Sequence, residues 1–339
     1  MIYCWGCWGI LGSARIAQRC MIPALKRSRN GRIVSVGCRS EEQAQSLALE
    51  HEIPGACPGY EEVLENPAVD AVYIPLPNHL HCEWTLKALR AGKHVLCEKP
   101  LARNGEEAQR MVEEAKARGK LLMEGLMYRF HPRSRRIKSL VAEGLVGEIR
   151  LVRSAFCFPH PDPQDIRFRP EMGGGALLDV GCYGVSLARW ILGAEPEFVQ
   201  GSAQYGPTGV DLTFVGILRF PRGEMAIVEA SFVTALQQTF SVVGTRGAIE
   251  LPHDAFIPWE KDCWFRIRGV DEEEGKVETV PGADEYQRMV EHFADAALGQ
   301  MPLEVEPEDS IRNMRVLDAL AESARKGHPV YVGGQACIF

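Results

Sequence analysis

Acidic residues are missing from the first forty positions, which carry Arg15, Arg19, Lys26, Arg27, Arg29, Arg32 and Arg39 and nothing to offset them. Long apolar runs are missing too. None approaches the roughly 18 residues of a membrane span, and no basic, apolar and small-residue cleavage pattern opens the chain, so neither a membrane helix nor a secretory leader is expected. No second CxxC stands beside Cys4-Trp5-Gly6-Cys7 to complete a zinc site, and His79-Leu80-His81 lacks a third ligand at a sensible spacing. No metal is expected. The 11 cysteines are odd in number and scattered, which argues against a secreted disulfide framework and for a reducing, cytoplasmic setting. The CxxC reads as small apolar side chains of a buried first strand, with a redox pair as the alternative. Internal repeats and low-complexity segments are absent.

What is present is an ordinary globular composition: 339 residues, 46% hydrophobic and 24% charged. That length predicts about two domains with cores large enough to need no staples. The formal charge of −7 argues against nucleic acid or anionic membrane as partners. The acid-free opening is worth +7, so the remainder sums to −14. A basic start on an acidic protein suggests a local anion rather than a polyanion.

Through about residue 123, short apolar runs alternate with helical patterns. Strands are read at Cys7–Leu11, Ile33–Val36, Ala71–Ile74, His94–Cys97 and Lys120–Met123. Helices are read at Ala14–Arg27, Glu41–His51, Cys82–Ala91 and Glu106–Arg118. Nearly continuous hydrophobicity in strands that alternate with helices implies an α/β domain on a doubly wound parallel sheet. From residue 124 to 339 the pattern changes. A helix near Ser134–Glu143 leads to a strand at Ile149–Phe158 and a Pro-rich loop. Gly173-Gly174-Gly175 then opens a helix to about Leu192. Strand runs near Phe198–Gln204, Asp211–Phe220, Met225–Val233, Phe240–Val243 and Trp264–Gly269 suggest an open, mostly antiparallel sheet. Helices at Tyr286–Leu298 and Asp309–Arg325 close this α+β domain.

Gly12-Ser13-Ala14-Arg15-Ile16-Ala17 falls at the first strand-to-helix turn as a G-x-A-x-x-A version of the dinucleotide fingerprint. Gly12 permits the tight turn, Ala17 close helix packing, and free amides at the helix start would hold the phosphates. Ala14 replaces the glycine at the pyrophosphate. The second strand ends Arg39-Ser40, where an NAD enzyme would place an acid; a cation there suits the 2′-phosphate of NADP rather than NAD. Alternatively, Arg39 is a solvated charge and Ser40 a helix cap ahead of Glu41 and Glu42.

The fourth parallel strand ends Glu98-Lys99-Pro100, and carboxyl ends of such strands line the ligand crevice. Asp179 and Tyr183 are four apart on an otherwise apolar helix, an expensive place for an ionised Asp without partners. Lys, Asp and Tyr make a proton-transfer set for an alcohol–carbonyl couple. Tyr183 would exchange the proton, Lys99 lower its pKa, and Asp179 orient a substrate hydroxyl. For Lys99 the bland alternative is a surface Glu-Lys pair.

These segments, with Asp70–His81 and Met127–Pro132, give a sequence that resembles the Gfo/Idh/MocA oxidoreductase family, and within it the group of D-xylose dehydrogenases and dimeric dihydrodiol dehydrogenases. The resemblance implies a Rossmann domain followed by an open sheet used for homodimer or homotetramer contacts. It implies catalytic positions at Lys99, Asp179 and Tyr183; many relatives have His in place of that tyrosine. It puts Leu76, Pro77, Asn78 and His81 in the loop on the ribose and nicotinamide side, with a helix-start role the alternative for His81. Tyr128, Arg129, Phe158 and Arg167 flank the matched segments and are candidates for the substrate wall, either arginine suited to a polyol or to a phosphate. The activity implied is NADP-dependent hydride transfer to or from a sugar or cyclic diol. Open alternatives are a ketoreductase of nucleotide-linked deoxysugars, sugar–sugar oxidoreduction on permanently held NADP (expected to carry a twin-arginine leader and an N-terminal arm), and a sugar sensor without turnover.

Overall fold

A computed structural model describes residues 6–333; Cys4 of the CxxC lies outside them. Two compact units divide the chain. The first runs up to Phe130 and takes back Asp284–Ile311; the second comprises His131–Ala283 and the chain from Arg312 onward.

The first unit is built on six parallel strands: β1 (Cys7–Leu11), β2 (Arg32–Gly37), β3 (Gly55–Cys57), β4 (Ala71–Ile74), β5 (His94–Cys97) and β6 (Leu122–Glu124). Their order is β3-β2-β1-β4-β5-β6, a doubly wound Rossmann arrangement in which the strand order reverses between β1 and β4 and opens a crevice there. Central strands β1 and β4 are buried along their whole length, which is why they read as unbroken apolar runs. Cys7 is one of those buried side chains, and Arg32 Nε donates to its Sγ at 3.2 Å. Ser40 caps helix 41–50 by accepting from Gln43 N, and Asn104 caps helix 105–118 by accepting from Glu107 N. The first helix is not uniform. A π turn over Ala17–Met21 precedes Ile22–Arg27; Pro23 has no amide to give and would crowd the carbonyl of Arg19, and the wider turn relieves both.

The boundary differs from the expected division at 123/124. Helix Glu285–Ala297 belongs to the first unit, where Phe293 meets Trp8 with ring centroids 5.4 Å apart, and Asp284 and Asp295 pair with Arg27 and Arg29. Three of the early basic residues thus have a plain role: Arg27 and Arg29 tie down this returning segment, and Arg32 contacts Cys7.

The second unit holds β7 (Ile149–Cys157), β8 (Phe198–Tyr205), β9 (Asp211–Arg219), β10 (Met225–Ser231), β11 (Gln237–Gly244), β12 (Gly247–Leu251), β13 (Cys263–Gly269), β14 (Lys276–Val280) and β15 (Val330–Tyr331) in the order β14-β13-β12-β11-β7-β10-β9-β8-β15. All neighbours are antiparallel except β7 and β10. Burial alternates along β9: Phe214 and Leu218 face the core, while Val215 (41% exposed) and Ile217 (42%) face out. Residues 170–192 form the one stretch among those described that passes for a membrane span by length and composition; it carries Glu171, Asp179 and Arg189 and is mostly buried.

Candidate functional site

In the first unit, β1 delivers the chain to Gly12, whose φ of +108° places it in left-handed territory and whose amide donates to Gly37 O at 2.8 Å. A Cβ here would also press on the Leu76 side chain at 3.0 Å, so glycine is required twice over. Ser13 and Ala14 follow, and the helix begins at Arg15 with Ile16 in its first turn. Gln18 Nε2 donates to Ser13 O at 2.7 Å and closes the turn. The opening amides of a helix have no partners within it and present partial positive charge. Beside them is a cleft of about 630 Å³ lined by Ser13, Gln18, Arg39, Ser40 and Gln43 among others. Arg39 and Ser40 are exposed at its rim. Free helix-opening amides beside a cleft with a basic rim are the chemistry that a dinucleotide's phosphates require. Tyr60 was not singled out in the sequence. Its hydroxyl lies near Gly12 and its ring stands edge-on to Trp84 at 4.7 Å; burial raises its pKa and the nearby Arg39 charge opposes that.

Leu76 and Pro77 form the loop after β4, and Asn78 opens helix 78–90. His81 is the fourth residue of that helix and is fully buried. Its Nδ1 lies 2.9 Å from Pro100 O and its Nε2 2.7 Å from Leu76 O, and burial lowers its pKa. The ring therefore braces two loops from the interior, where the sequence suggested a place facing the ribose. β5 is followed by Glu98 and half-buried Lys99, which a cis peptide joins to Pro100. Glu98 accepts from Tyr73 OH at 2.7 Å and from Lys99 N at 3.3 Å, so this carboxylate shapes the turn that presents Lys99.

Tyr128 and Arg129 are corrections to the substrate wall. Both lie in a 3₁₀ turn, Met127–Phe130, that is wholly buried in the first unit. Arg129 is 2% exposed, with Nη2 2.8 Å from Asp309 Oδ2 and Nε 3.5 Å from Tyr128 OH. A buried guanidinium needs such a counter-charge, and the partner comes from the returning segment. Nearby Glu124 accepts from Leu101 N at 2.9 Å, and burial pushes its pKa up to about 7.

In the second unit, Arg167 Nε donates to Asp179 Oδ2 at 2.7 Å and Nη1 to Asp165 Oδ1 at 3.1 Å. These carboxylates raise the arginine's pKa further, Asp179 most. The cost of placing Asp179 on an apolar helix is thus met by a forked charge-assisted pair. Helix 176–192 opens with a π turn over Leu177–Gly181 that contains Asp179, and the regular α-helix bearing Tyr183 starts at Cys182. Tyr183 is 4% exposed, its ring 5.3 Å from Phe156 and 5.4 Å from Phe256, which are themselves stacked at 5.5 Å and 6°. Phe158 continues this cluster, 6.2 Å from Phe156 and 5.5 Å from Phe232. Buried Arg133 donates to Asp254 O at 2.6 Å and Ala255 O at 2.8 Å and so holds the loop that brings Phe256 against Tyr183. Neither Arg133 nor Phe256 carries a local motif that would mark it in the sequence. Among the described residues no group of three or more His, Cys, Asp or Glu is placed to hold a metal.

A glycine turn at the end of β1 in a doubly wound parallel sheet defines the class of dinucleotide-binding Rossmann proteins. Comparison with known proteins gives the family. Residues 7–126 match the oxidoreductase family with an NAD-binding Rossmann fold, and residues 134–250 match the GFO/IDH/MocA C-terminal domain. The chain belongs to the Gfo/Idh/MocA oxidoreductases. It is 39% identical to a D-xylose 1-dehydrogenase (NADP(+)) of Haloferax volcanii over 95% of this chain and 98% of that one. It is 33% identical to a trans-1,2-dihydrobenzene-1,2-diol dehydrogenase of Xenopus laevis over 74% and 76%. Its fold matches a 3-ketoreductase from Actinomadura kijaniata in complex with NADP and TDP-benzene at a TM-score of 0.88, with 33% identity over 94% of this chain and 97% of the other.

Proposed function

We propose that the chain is an NADP-dependent oxidoreductase acting on a hydroxyl or carbonyl carbon of an uncharged sugar or cyclic diol, as a D-xylose-type aldose or a trans-dihydrodiol. Bound NADP supplies the hydride acceptor, or NADPH the donor. Lys99, Asp179 and Tyr183 do the remaining work: Tyr183 OH exchanges the proton with the substrate oxygen, Lys99 favours its ionised form, and Asp179 accepts a hydrogen bond from a neighbouring hydroxyl. Gly12, Ser13, Ala14, Arg15 and Ile16 bind the pyrophosphate, Arg39 and Ser40 the 2′-phosphate, and Leu76, Pro77 and Asn78 the nicotinamide side. Phe158 borders the substrate.

The observation that carries the substrate class is the occupation of Arg167 by Asp165 and Asp179. With Arg129 buried against Asp309, neither arginine singled out for a phosphate is available to one. A polyol needs hydroxyl acceptors instead, and Asp179 is one. The second reading, a ketoreductase of nucleotide-linked deoxysugars, is supported by the likeness to the Actinomadura kijaniata enzyme. A spectrophotometric panel of pentoses, hexoses, inositols, cyclic diols and nucleotide-linked sugars, with NADP and NAD side by side, decides between them. Turnover confined to nucleotide-linked sugars overturns the uncharged-substrate reading; cofactor binding without turnover anywhere points to a sensor. Full turnover by Tyr183→Phe removes the proton relay.

The outward row of Val215, Ile217 and Met225 supports association into a homodimer or homotetramer through this sheet, which light scattering measures. Cysteines are scattered through both units and most of those described are buried, which supports a reducing, cytoplasmic location.

A further inference from the structure

The helix bearing Asp179 and Tyr183 begins without a cap of its own. Ala176 at its N-cap offers no side-chain hydrogen bond, and the three residues before it are glycines. The acceptor comes instead from β9. Asp211, the first residue of that strand, accepts from Leu177 N at 2.6 Å, and the amides of Ala176 and of Asp211 itself also face its carboxylate. The fit is tight. At Gly175, where φ is +115°, a Cβ would lie 2.1 Å from Asp211 Oδ1, so only glycine lets the carboxylate reach the helix mouth. An ionised oxygen on helix-opening amides makes a short charge-assisted bond and meets the positive end of the helix dipole. Among the described residues, the groups that act on this carboxylate are the backbone amides of Leu177, Asp211 and Ala176, and burial pushes its pKa up to about 6.

We propose that Asp211 is a positioning residue for the catalytic helix: its carboxylate fixes the Leu177–Gly181 turn and with it Asp179, and Tyr183 on the turn that follows. This rests on the reading that Asp179 and Tyr183 act on the substrate. Asp179 sits two residues beyond Leu177 in the same turn, and its amide donates to Gly175 O at 3.1 Å, so a slip at the carboxylate reaches Asp179 directly. Protonation of Asp211 removes one acceptor site and the charge; Asp211→Asn does the same permanently and keeps the shape.

The test compares wild type, Asp211→Asn and Tyr183→Phe by hydrogen–deuterium exchange, by NADPH binding followed through fluorescence, and by turnover from pH 5 to 9 on a substrate from the panel. In Asp211→Asn, exchange across residues 176–183 should rise about tenfold, NADPH affinity should stay within about twofold of wild type, and kcat should fall roughly tenfold with little change in KM. Wild-type kcat should show an acid limb near pH 6 that is absent from Asp211→Asn. Unchanged exchange, or wild-type kcat with the limb intact, overturns the proposal. Should the variant fold poorly, wild-type exchange across the same segment carries the test: it should accelerate below pH 6 beyond the intrinsic trend, and the absence of that acceleration overturns it. Tyr183→Phe separates the two levels. An inactive Tyr183→Phe with a normal Asp211→Asn refutes this inference alone, whereas an active Tyr183→Phe removes both.

Discussion

Arg167 grips Asp179 through an Nε–Oδ2 bond of 2.7 Å while its Nη1 holds Asp165, so one guanidinium supplies a counter-charge to the carboxylate on the apolar helix and fixes its direction.

Substitution of Arg167 by Met should therefore act through Asp179. Turnover on the sugar or diol substrate should fall about 10- to 100-fold, while NADPH affinity stays unchanged. Because the two residues form one unit, Arg167→Met and Asp179→Asn should be strongly non-additive in a double-mutant cycle. Additive losses would mean that Arg167 acts by some route other than Asp179.

Arg39 sits on the rim of the cleft beside Ser13 and Gln18. Arg39→Asp should weaken NADP by about tenfold or more and favour NAD, since an acid there repels the 2′-phosphate and accepts from a ribose hydroxyl instead. The ratio of cofactor KM values is the measurement, and an unchanged ratio refutes the assignment.

Glu124 ties stability to pH. Its carboxyl titrates near 4.5 when free and at about 7 in the folded chain, so the folded state binds the proton more tightly. That contribution is complete below pH 4.5 and is lost as pH rises through 7. Glu124→Gln keeps the acceptor for Leu101 N and removes the titration. Urea unfolding at pH 5 and pH 8 should show the variant gaining on wild type by on the order of 2–3 kcal/mol across that range. A gain of the opposite sign would show that Glu124 is stabilised as the ion.

Phe256 should matter to Tyr183 more than to the fold. Phe256→Leu preserves most of the volume, so its stability cost should be about 1 kcal/mol. It removes the stack on Phe156 and one wall of the tyrosine, and kcat should drop severalfold with no change in cofactor binding. Arg133→Met, which frees the same loop, should lower kcat in parallel while leaving an unsupported backbone and a larger stability loss. Equal loss of cofactor affinity in either variant would argue for general damage.

Local periodicity made five of the six parallel strands legible: β1, β4 and β5 are nearly continuous buried runs, and Ser40, offered as a helix cap in the sequence, is one in the structure. Short elements such as β3 and helix Glu61–Glu65 were too brief to show a period. Gly12, Lys99, Asp179 and Tyr183 could be named as candidates from the sequence because they sit in motifs. Residues whose role is set by a distant partner were not legible: Arg129 flanks a motif and reads as a substrate contact until Asp309 is found beside it. Gly173–Gly175 reads only as the opening of a helix until Asp211 is found filling the space a side chain at Gly175 would need. Asp211 itself looks like any acid at the start of a strand.

The return of Asp284–Ile311 to the first unit also bears on recombination. A chimera that takes its cofactor half from a relative by one splice after Phe130 would set a foreign β1 and first helix against native Phe293, Asp284 and Asp295, whose partners are Trp8, Arg27 and Arg29. Cofactor preference can be exchanged between members of this family as a whole module only if the donor supplies both stretches; grafts made at a single junction should express poorly, whatever the quality of their nucleotide turn.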